Sequence, residues 1–256
     1  MIDPRAIIAK DAELAPDVSV GPFAVIGAQV RIGPRSVVGP HAVIEGPTAI
    51  GADNHIFQFA SIGAAPQDKK YKGEPTRLEV GDRNVFREFT TVSRGTTHDK
   101  GVTSIGNDNL FMATSHVAHD CVIGNQTVFA NCAVIGGHVE IGDWAILGGV
   151  TAIHQFSKVG AHAFLSGGSI VRVDVPPYVM VAGNPAAPYG VNSEGLKRRG
   201  FSEEQIQRIK DAYRIVYRSD LKLAEALERL APIGEQHPEI RVFVDFIRRS
   251  TRSIVR

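Results

Sequence analysis

The sequence predicts a mostly β protein: a parallel solenoid of short strands with a triangular cross-section, followed by a small α-helical domain. Three observations carry that expectation. Apolar residues recur at every sixth position over most of the chain. Glycine often stands directly after the recurring residue. Past about residue 187 the six-residue period ends, and stretches with helical spacing begin.

Counted in sixes from Ile2, the first ladder runs Ile8, Leu14, Val20, Ile26, Ile32, Val38, Ile44, Ile50, Ile56 and Ile62. The second runs Ile105, Phe111, Val117, Ile123, Phe129, Ile135, Ile141, Leu147, Ile153, Val159, Leu165 and Val171. Neither a 3.6-residue helix nor simple alternation produces such a spacing. Three hexapeptides per coil would stack the ladder residues inward, with coils one strand spacing apart, roughly 4.8 Å. Each coil then buries its inner face mainly against its neighbours. Handedness does not follow from the pattern.

The ladder breaks twice. "GAAPQDKKYKGEPTRLE" lies between Ile62 and Val80, and "SRGTTHDKGVTS" between Val92 and Ile105, where the count slips by one residue. Such breaks are expected as arms reaching a substrate or a neighbouring chain. The period fades through "DVPPYVMVAGNPAAPYG", rich in proline and glycine. Beyond it, Ser202 and Gln205 have capping-box spacing before the apolar positions Ile206, Ile209 and Tyr213. "LKLAEALERL" and "PEIRVFVDFIRR" add two more helical stretches. The expected domains are a solenoid over 1–187 and a helical domain over 188–256.

Composition narrows the function classes. A net charge of +1 gives no global reason to expect nucleic acid as a partner. No apolar run reaches the length of a membrane span, so an integral membrane protein is not expected. The two cysteines, Cys121 and Cys132, make no disulfide framework, and "MIDPRAIIAKDAEL" has no signal-peptide pattern. A cytoplasmic protein is expected.

With 18 residues per coil, Asp120 should lie beneath His138, and His119 beneath Gly137. His116, His119, Asp120 and His138 would then gather on adjacent coils, with Lys70 and Lys72 in the first arm. Three tasks fit the cluster. A neutral imidazole oriented by a carboxylate is a general base near neutral pH. Histidines on a similar solenoid bind zinc in gamma-type carbonic anhydrases. Solvated histidines with no task are the third possibility. Adjacent residues of an extended strand face opposite ways, so His119 and Asp120 should pair only at a turn of the coil.

The ladder, "DKKYKGEPTR" (68–77), "SHVAHDCVIGN" (115–125), "GGHVEIGD" (136–143), "AIHQF" (152–156) and "GVNSEGLKRRGF" (190–201) together resemble the bacterial UDP-N-acetylglucosamine O-acyltransferases. The resemblance covers nearly the whole chain in order. It implies a left-handed parallel β-helix of hexapeptide repeats with a C-terminal helical domain. It further implies a homotrimer with active sites at subunit interfaces and the first step of lipid A biosynthesis. The donor would be a (3R)-3-hydroxyacyl chain on acyl carrier protein, and the acceptor the ring 3-hydroxyl of UDP-N-acetylglucosamine. No cofactor or metal is expected.

Residue by residue, His119 matches the family's general base, Asp120 its orienting carboxylate, and Gly137 the backbone donor to the oxyanion. His116, His138, His154, Gln155, Asp68 and Lys70 match substrate contacts. Asn192, Glu194, Arg198 and Arg199 match the nucleotide end. Gly167 and Gly168 match the acyl groove, and small residues there imply a longer donor chain. Two departures stand out: Ser93 replaces the family's usual histidine before Arg-Gly-Thr, and Asn184–Pro185 differs from some relatives near the far end of the groove. Two alternatives compete: a zinc-dependent gamma carbonic anhydrase, and the sister N-acyltransferase, which normally carries an extra N-terminal uridine-binding domain. The first leaves "KYKGEPTR" and the helical tail without a task, and a ladder starting at Ile2 leaves no room for the second's extra domain. A non-catalytic hexapeptide scaffold, the third class, gives no reason to gather four polar residues on neighbouring coils.

Overall fold

Short strands alternate with tight turns around three faces of a triangular β-helix, as the six-residue ladder predicts. The computed structural model describes residues 1–97 and 99–256. Among them the three faces are sheets of nine, eight and ten strands. The first face includes His116–Val117, the second Val122–Ile123 and the third Val128–Phe129. Neighbours within a face come from successive coils and run parallel: Val117 pairs with Ile135, Ile135 with Ile153, and Ile153 with Val171.

The ladder residues point inward and form the core. Ile26, Ile44, Ile62, Phe86, Phe111 and Phe129 are at most 1% exposed. Phe86, Phe111 and Phe129 sit one above the next, with consecutive ring centroids 4.8 Å apart. Burying each such side chain contributes roughly 1.5–3 kcal/mol. The glycines after the rungs let coils close on each other: a Cβ on Gly33 would stand 2.6 Å from the Gly51 carbonyl carbon.

Most corners turn through one residue in the left-handed region. Thr114, Asp120, Gln126, Cys132, His138 and Trp144 have φ of 59–63° although none is glycine. That conformation costs an L-residue roughly 1–2 kcal/mol. Amide bonds to the coil below offset the cost, as from His138 N to the His119 carbonyl oxygen at 3.0 Å. A buried asparagine ladder ties the corner between the second and third faces: Nδ2 of Asn84 donates to Oδ1 of Asn54, and Nδ2 of Asn109 to Oδ1 of Asn84.

The two breaks in the ladder are coils lengthened by arms. Ile62 pairs with Val92 and Val92 with Val117, so those coils take 30 and 25 residues where their neighbours take 18. Because pairing resumes rung on rung, the arms leave the core intact.

The strand Ala187–Val191 folds back antiparallel on Val179–Ala182 and lies across the expected division at 187/188. It leads straight into α1 (Ser193–Arg198), followed by α2 (Glu203–Tyr217), α3 (Leu223–Gln236) and α4 (Pro238–Arg249). The expected capping box starts α2, with the Ser202 hydroxyl accepting from Gln205 N and the Gln205 side chain accepting from Ser202 N. After α4 the chain returns to the solenoid, where Ile254 bridges to Asp174 and the Ser250 hydroxyl donates to the Asp174 carboxylate.

Candidate active site

His119 and Asp120 form a corner of the coil between the first and second faces. The left-handed φ of Asp120 turns two adjacent side chains toward each other, which an extended strand forbids. His119 Nδ1 lies 2.9 Å from Asp120 Oδ2. The Asp120 side chain is fully buried and that of His119 is 15% exposed. Asp120 is anchored by the second arm: the Thr96 amide donates to both carboxylate oxygens, and the Thr96 hydroxyl to Oδ2 at 2.6 Å. With both Thr96 groups donating to it, the carboxylate faces the imidazole as an acceptor. The proton therefore sits on His119 Nδ1, leaving an Nε2 lone pair for a substrate proton.

The 18-residue stacking holds as expected. His138 occupies the same corner one coil on, its Nε2 3.9 Å from Asp120 Oδ2 and its ring edge-on to His119 at 5.1 Å. The far side of the His138 ring stacks on Phe156 at 4.3 Å, and its Nδ1 meets Asp99 Oδ2 of the second arm at 2.9 Å. Gly137 lies directly against His119: a Cβ there would come 2.5 Å from Cε1 and 2.7 Å from Nε2. Among the described residues no acceptor is recorded for its N–H. His116, on the first face, hydrogen-bonds through Nδ1 to the Thr91 hydroxyl at 2.7 Å. Burial, with a smaller effect from His119, holds the His116 ring below the usual imidazole range.

A cleft of about 840 Å³ opens at this corner, lined by Asp68 and Lys70 of the first arm together with His119, His138 and Gln155. A second hollow on the other side of His119 takes in Ser93, His116, Gly137 and again Gln155. Residues of both arms thus reach the same corner. Arg94 fastens the first arm, donating to the Gly63 carbonyl and lying 3.3 Å from the Tyr71 hydroxyl. Ser93, in place of the histidine expected from the resemblance, is buried in the hollow and adds no ring there. A more enclosed cavity of about 280 Å³ lies between the second face and Phe246 of α4, but no histidine lines it.

Among the described residues, His119, Asp120 and His138 are close enough to share a metal ion. The carboxylate already accepts from Thr96 twice and faces His119, so a metal would have to displace those partners. The set also differs from the three histidines of a gamma-type zinc site.

The remaining expected residues lie elsewhere on the chain. His154 is exposed beside Gln155, its Nδ1 at the Gln155 carbonyl. Gly167 and Gly168 belong to the corner between the third and first faces, and a Cβ on Gly168 would meet nothing within 4 Å. Asn192 caps α1, accepting from Gly195 N, and Glu194 is exposed in that helix's first turn. Arg198 is exposed at its end. Arg199 packs its guanidinium over Trp144 at 5.0 Å and lies 3.3 Å from His162 Nδ1. This group surrounds the corner between the second and third faces, a full side of the triangle from His119. Sequence reasoning missed Thr96 and Asp99, which lie where the ladder's count is lost, and also Trp144 and His162.

Hexapeptide coils wound into a three-faced parallel β-helix, together with the family matches that follow, place this molecule among the hexapeptide-repeat acyltransferases. Residues 11–46 and 103–137 match the bacterial transferase hexapeptide family, and 174–255 match the second domain of UDP-N-acetylglucosamine O-acyltransferase. The acyl-[acyl-carrier-protein]–UDP-N-acetylglucosamine O-acyltransferase of Thiobacillus denitrificans is 56% identical over 255 residues, covering 100% of this chain and 99% of the relative. Two solved structures superpose closely, each with a TM-score of 0.98 and full coverage of this chain. They are the UDP-N-acetylglucosamine acyltransferase of Francisella novicida, at 41% identity over 94% of its length, and that of Moraxella catarrhalis, at 45% over 99%. The chain belongs to the acyl-[acyl-carrier-protein]–UDP-N-acetylglucosamine O-acyltransferase family, as its motifs lead one to expect.

Proposed function

We propose that the protein transfers a (3R)-3-hydroxyacyl chain from acyl carrier protein to the ring 3-hydroxyl of UDP-N-acetylglucosamine, the opening step of lipid A synthesis. The observation that carries this reading is His119, oriented through Nδ1 by the buried Asp120, with Gly137 against its other edge. His119 Nε2 takes the hydroxyl proton as the sugar oxygen bonds to the thioester carbonyl carbon. The Gly137 N–H donates to the oxyanion that forms. Collapse breaks the carbon–sulfur bond, and the imidazolium returns its proton to the departing thiolate. No covalent enzyme intermediate is needed, and Cys121, whose thiol burial pushes up to about 12, has no part in it.

Asp68, Lys70, His116, His138, His154 and Gln155 bind the sugar and the lower part of the donor in this reading. Asn192, Glu194, Arg198 and Arg199 hold the nucleotide, and Gly167 and Gly168 leave room for a long acyl chain. A homotrimer fits the separation of these groups: within one chain the two ends lie on different corners, up to about 20 Å of extended strand apart. Among the described residues no helix is long and apolar enough to cross a membrane, and a cytoplasmic site of action agrees with the soluble donor and acceptor.

The test uses purified protein, UDP-N-acetylglucosamine and acyl carrier proteins bearing 3-hydroxyacyl chains of several lengths, with products read by mass spectrometry. An O-acylated UDP-sugar is expected, formed equally well after dialysis against a chelator. No product with any donor, or activity that follows added zinc, would overturn the reading.

A further inference from the structure

Beneath the residues assigned to the nucleotide lies a histidine to which the reaction gives no task. His162 is the corner residue between the second and third faces, with φ of 60°, in a column of rings with Trp144 below and Tyr178 above. Phe201, just past α1, closes the side of its ring edge-on at 5.2 Å. Two of the proposed nucleotide residues end on it. The Arg199 guanidinium reaches its Nδ1 at 3.3 Å, and the Asn192 side-chain amide donates to its carbonyl oxygen at 3.0 Å.

Resting on the reading that Arg199 serves the nucleotide, we infer that His162 is its positioning residue: ring Nδ1 and the Trp144 face together fix the guanidinium toward a diphosphate. The chemistry of the clamp is specific. Arg199 is half-buried, and among the described residues no carboxylate pairs with it. A neutral acceptor and an aromatic face orient a guanidinium without neutralising it, so its charge stays available to an anion. A carboxylate at position 162 would orient the arginine equally well and cancel that charge. An imidazole serves only while unprotonated. Burial first, then Arg199, hold this ring at about 4, against a smaller opposing pull from Asp143. Nδ1 therefore remains an acceptor at neutral pH, with its proton on Nε2.

The test measures UDP and UDP-N-acetylglucosamine binding by calorimetry, with steady-state kinetics, on the full-length protein. His162→Phe keeps a ring in the column but removes the acceptor. UDP affinity should fall about tenfold and KM for the UDP-sugar rise in parallel, with kcat at saturation within about twofold. His162→Asn keeps an acceptor where Nδ1 stood, and should bind UDP within about threefold of the parent. The double variant His162→Phe/Arg199→Ala should bind no more weakly than Arg199→Ala alone, because the two changes remove one interaction. Additive losses, or an asparagine variant as weak as the phenylalanine one, would show that His162 acts through packing and overturn the inference. Normal binding by His162→Phe while Arg199→Ala is weak would also sink it. Normal binding by Arg199→Ala would instead remove the underlying assignment of the nucleotide end. Should the phenylalanine variant not fold, Trp144→Leu opens the clamp from its other side, and unchanged UDP affinity there would count against it.

Discussion

As the proposed base, His119 needs its free nitrogen toward the cleft, and three neighbours bear on that. Asp120 sets the tautomer, Thr96 holds Asp120, and Gly137 leaves the space. His119→Ala should lower turnover by at least about 10²–10⁴-fold, the usual contribution of a general base, with UDP binding and the melting temperature little changed. Near-normal turnover in that variant would rule out the base assignment. Gly137→Ala puts a Cβ 2.5 Å from the imidazole, so the ring must swing away. Its kcat should fall about 100-fold or more while KM for the UDP-sugar changes far less, and an unaffected kcat would place the reaction elsewhere. The 18-residue register made Asp120, His138 and Gly137 legible as neighbours from sequence. Thr96 and Asp99 were not legible, because the insertion before Ile105 breaks the count that would have located them. His162 supplies the pH dependence at this scale. Its folded pKa of about 4 is below the ordinary value of 6.5, so as pH falls the unfolded chain takes up the proton first. The resulting stability is complete above about pH 6.5 and is lost as pH falls toward 4. Melting curves between pH 8 and about 4 should therefore drop less steeply in His162→Phe than in the parent.

Rungs, corners and arms divide the work among elements. The rungs supply cohesion, and their period made the solenoid readable long before any contact was known. Phe111 lies between Phe86 and Phe129 in successive coils and is fully buried. Phe111→Ala should cost about 3–5 kcal/mol in denaturant unfolding, because rigid coils above and below cannot collapse into the space. A loss under about 1 kcal/mol would mean that coils slide to refill the gap. In the proposed reaction the corners supply the chemistry, since the left-handed turn at Asp120 brings two adjacent side chains together. Their left-handed residues are aspartate, histidine and tryptophan as well as small ones, so sequence gave no warning that they turn the chain. The groove assigned to the acyl chain is another corner, and glycine keeps it open: a Cβ on Gly167 would meet only the Gly149 backbone, at 3.2 Å or more. Gly167→Met should fold normally and shift preference toward shorter 3-hydroxyacyl donors. Unchanged selectivity across a donor panel would remove Gly167 from the groove.

At the scale of the whole molecule, a single chain separates the two ends of the proposed site. His119 stands between the first and second faces, whereas Arg199 lies with Trp144 and His162 between the second and third. The residues carrying the family resemblance were readable one by one, but their separation was not, because motif order along a chain says nothing about which corner each occupies. A symmetric trimer joins unlike corners of neighbouring copies, so the base of one subunit would meet the nucleotide residues of the next. Mixing two impaired variants, assayed with UDP-sugar well below the KM of Arg199→Ala, tests that directly. His119→Ala and Arg199→Ala are co-expressed with different tags, and mixed oligomers are isolated through both. If each site draws on two subunits, some interfaces pair an intact His119 with an intact Arg199. Selection through both tags leaves trimers of two-to-one composition, each with one intact interface in three, so about a third of the parent's activity per site should return. If both residues served the same subunit's site, every site would carry one lesion and mixing would restore nothing.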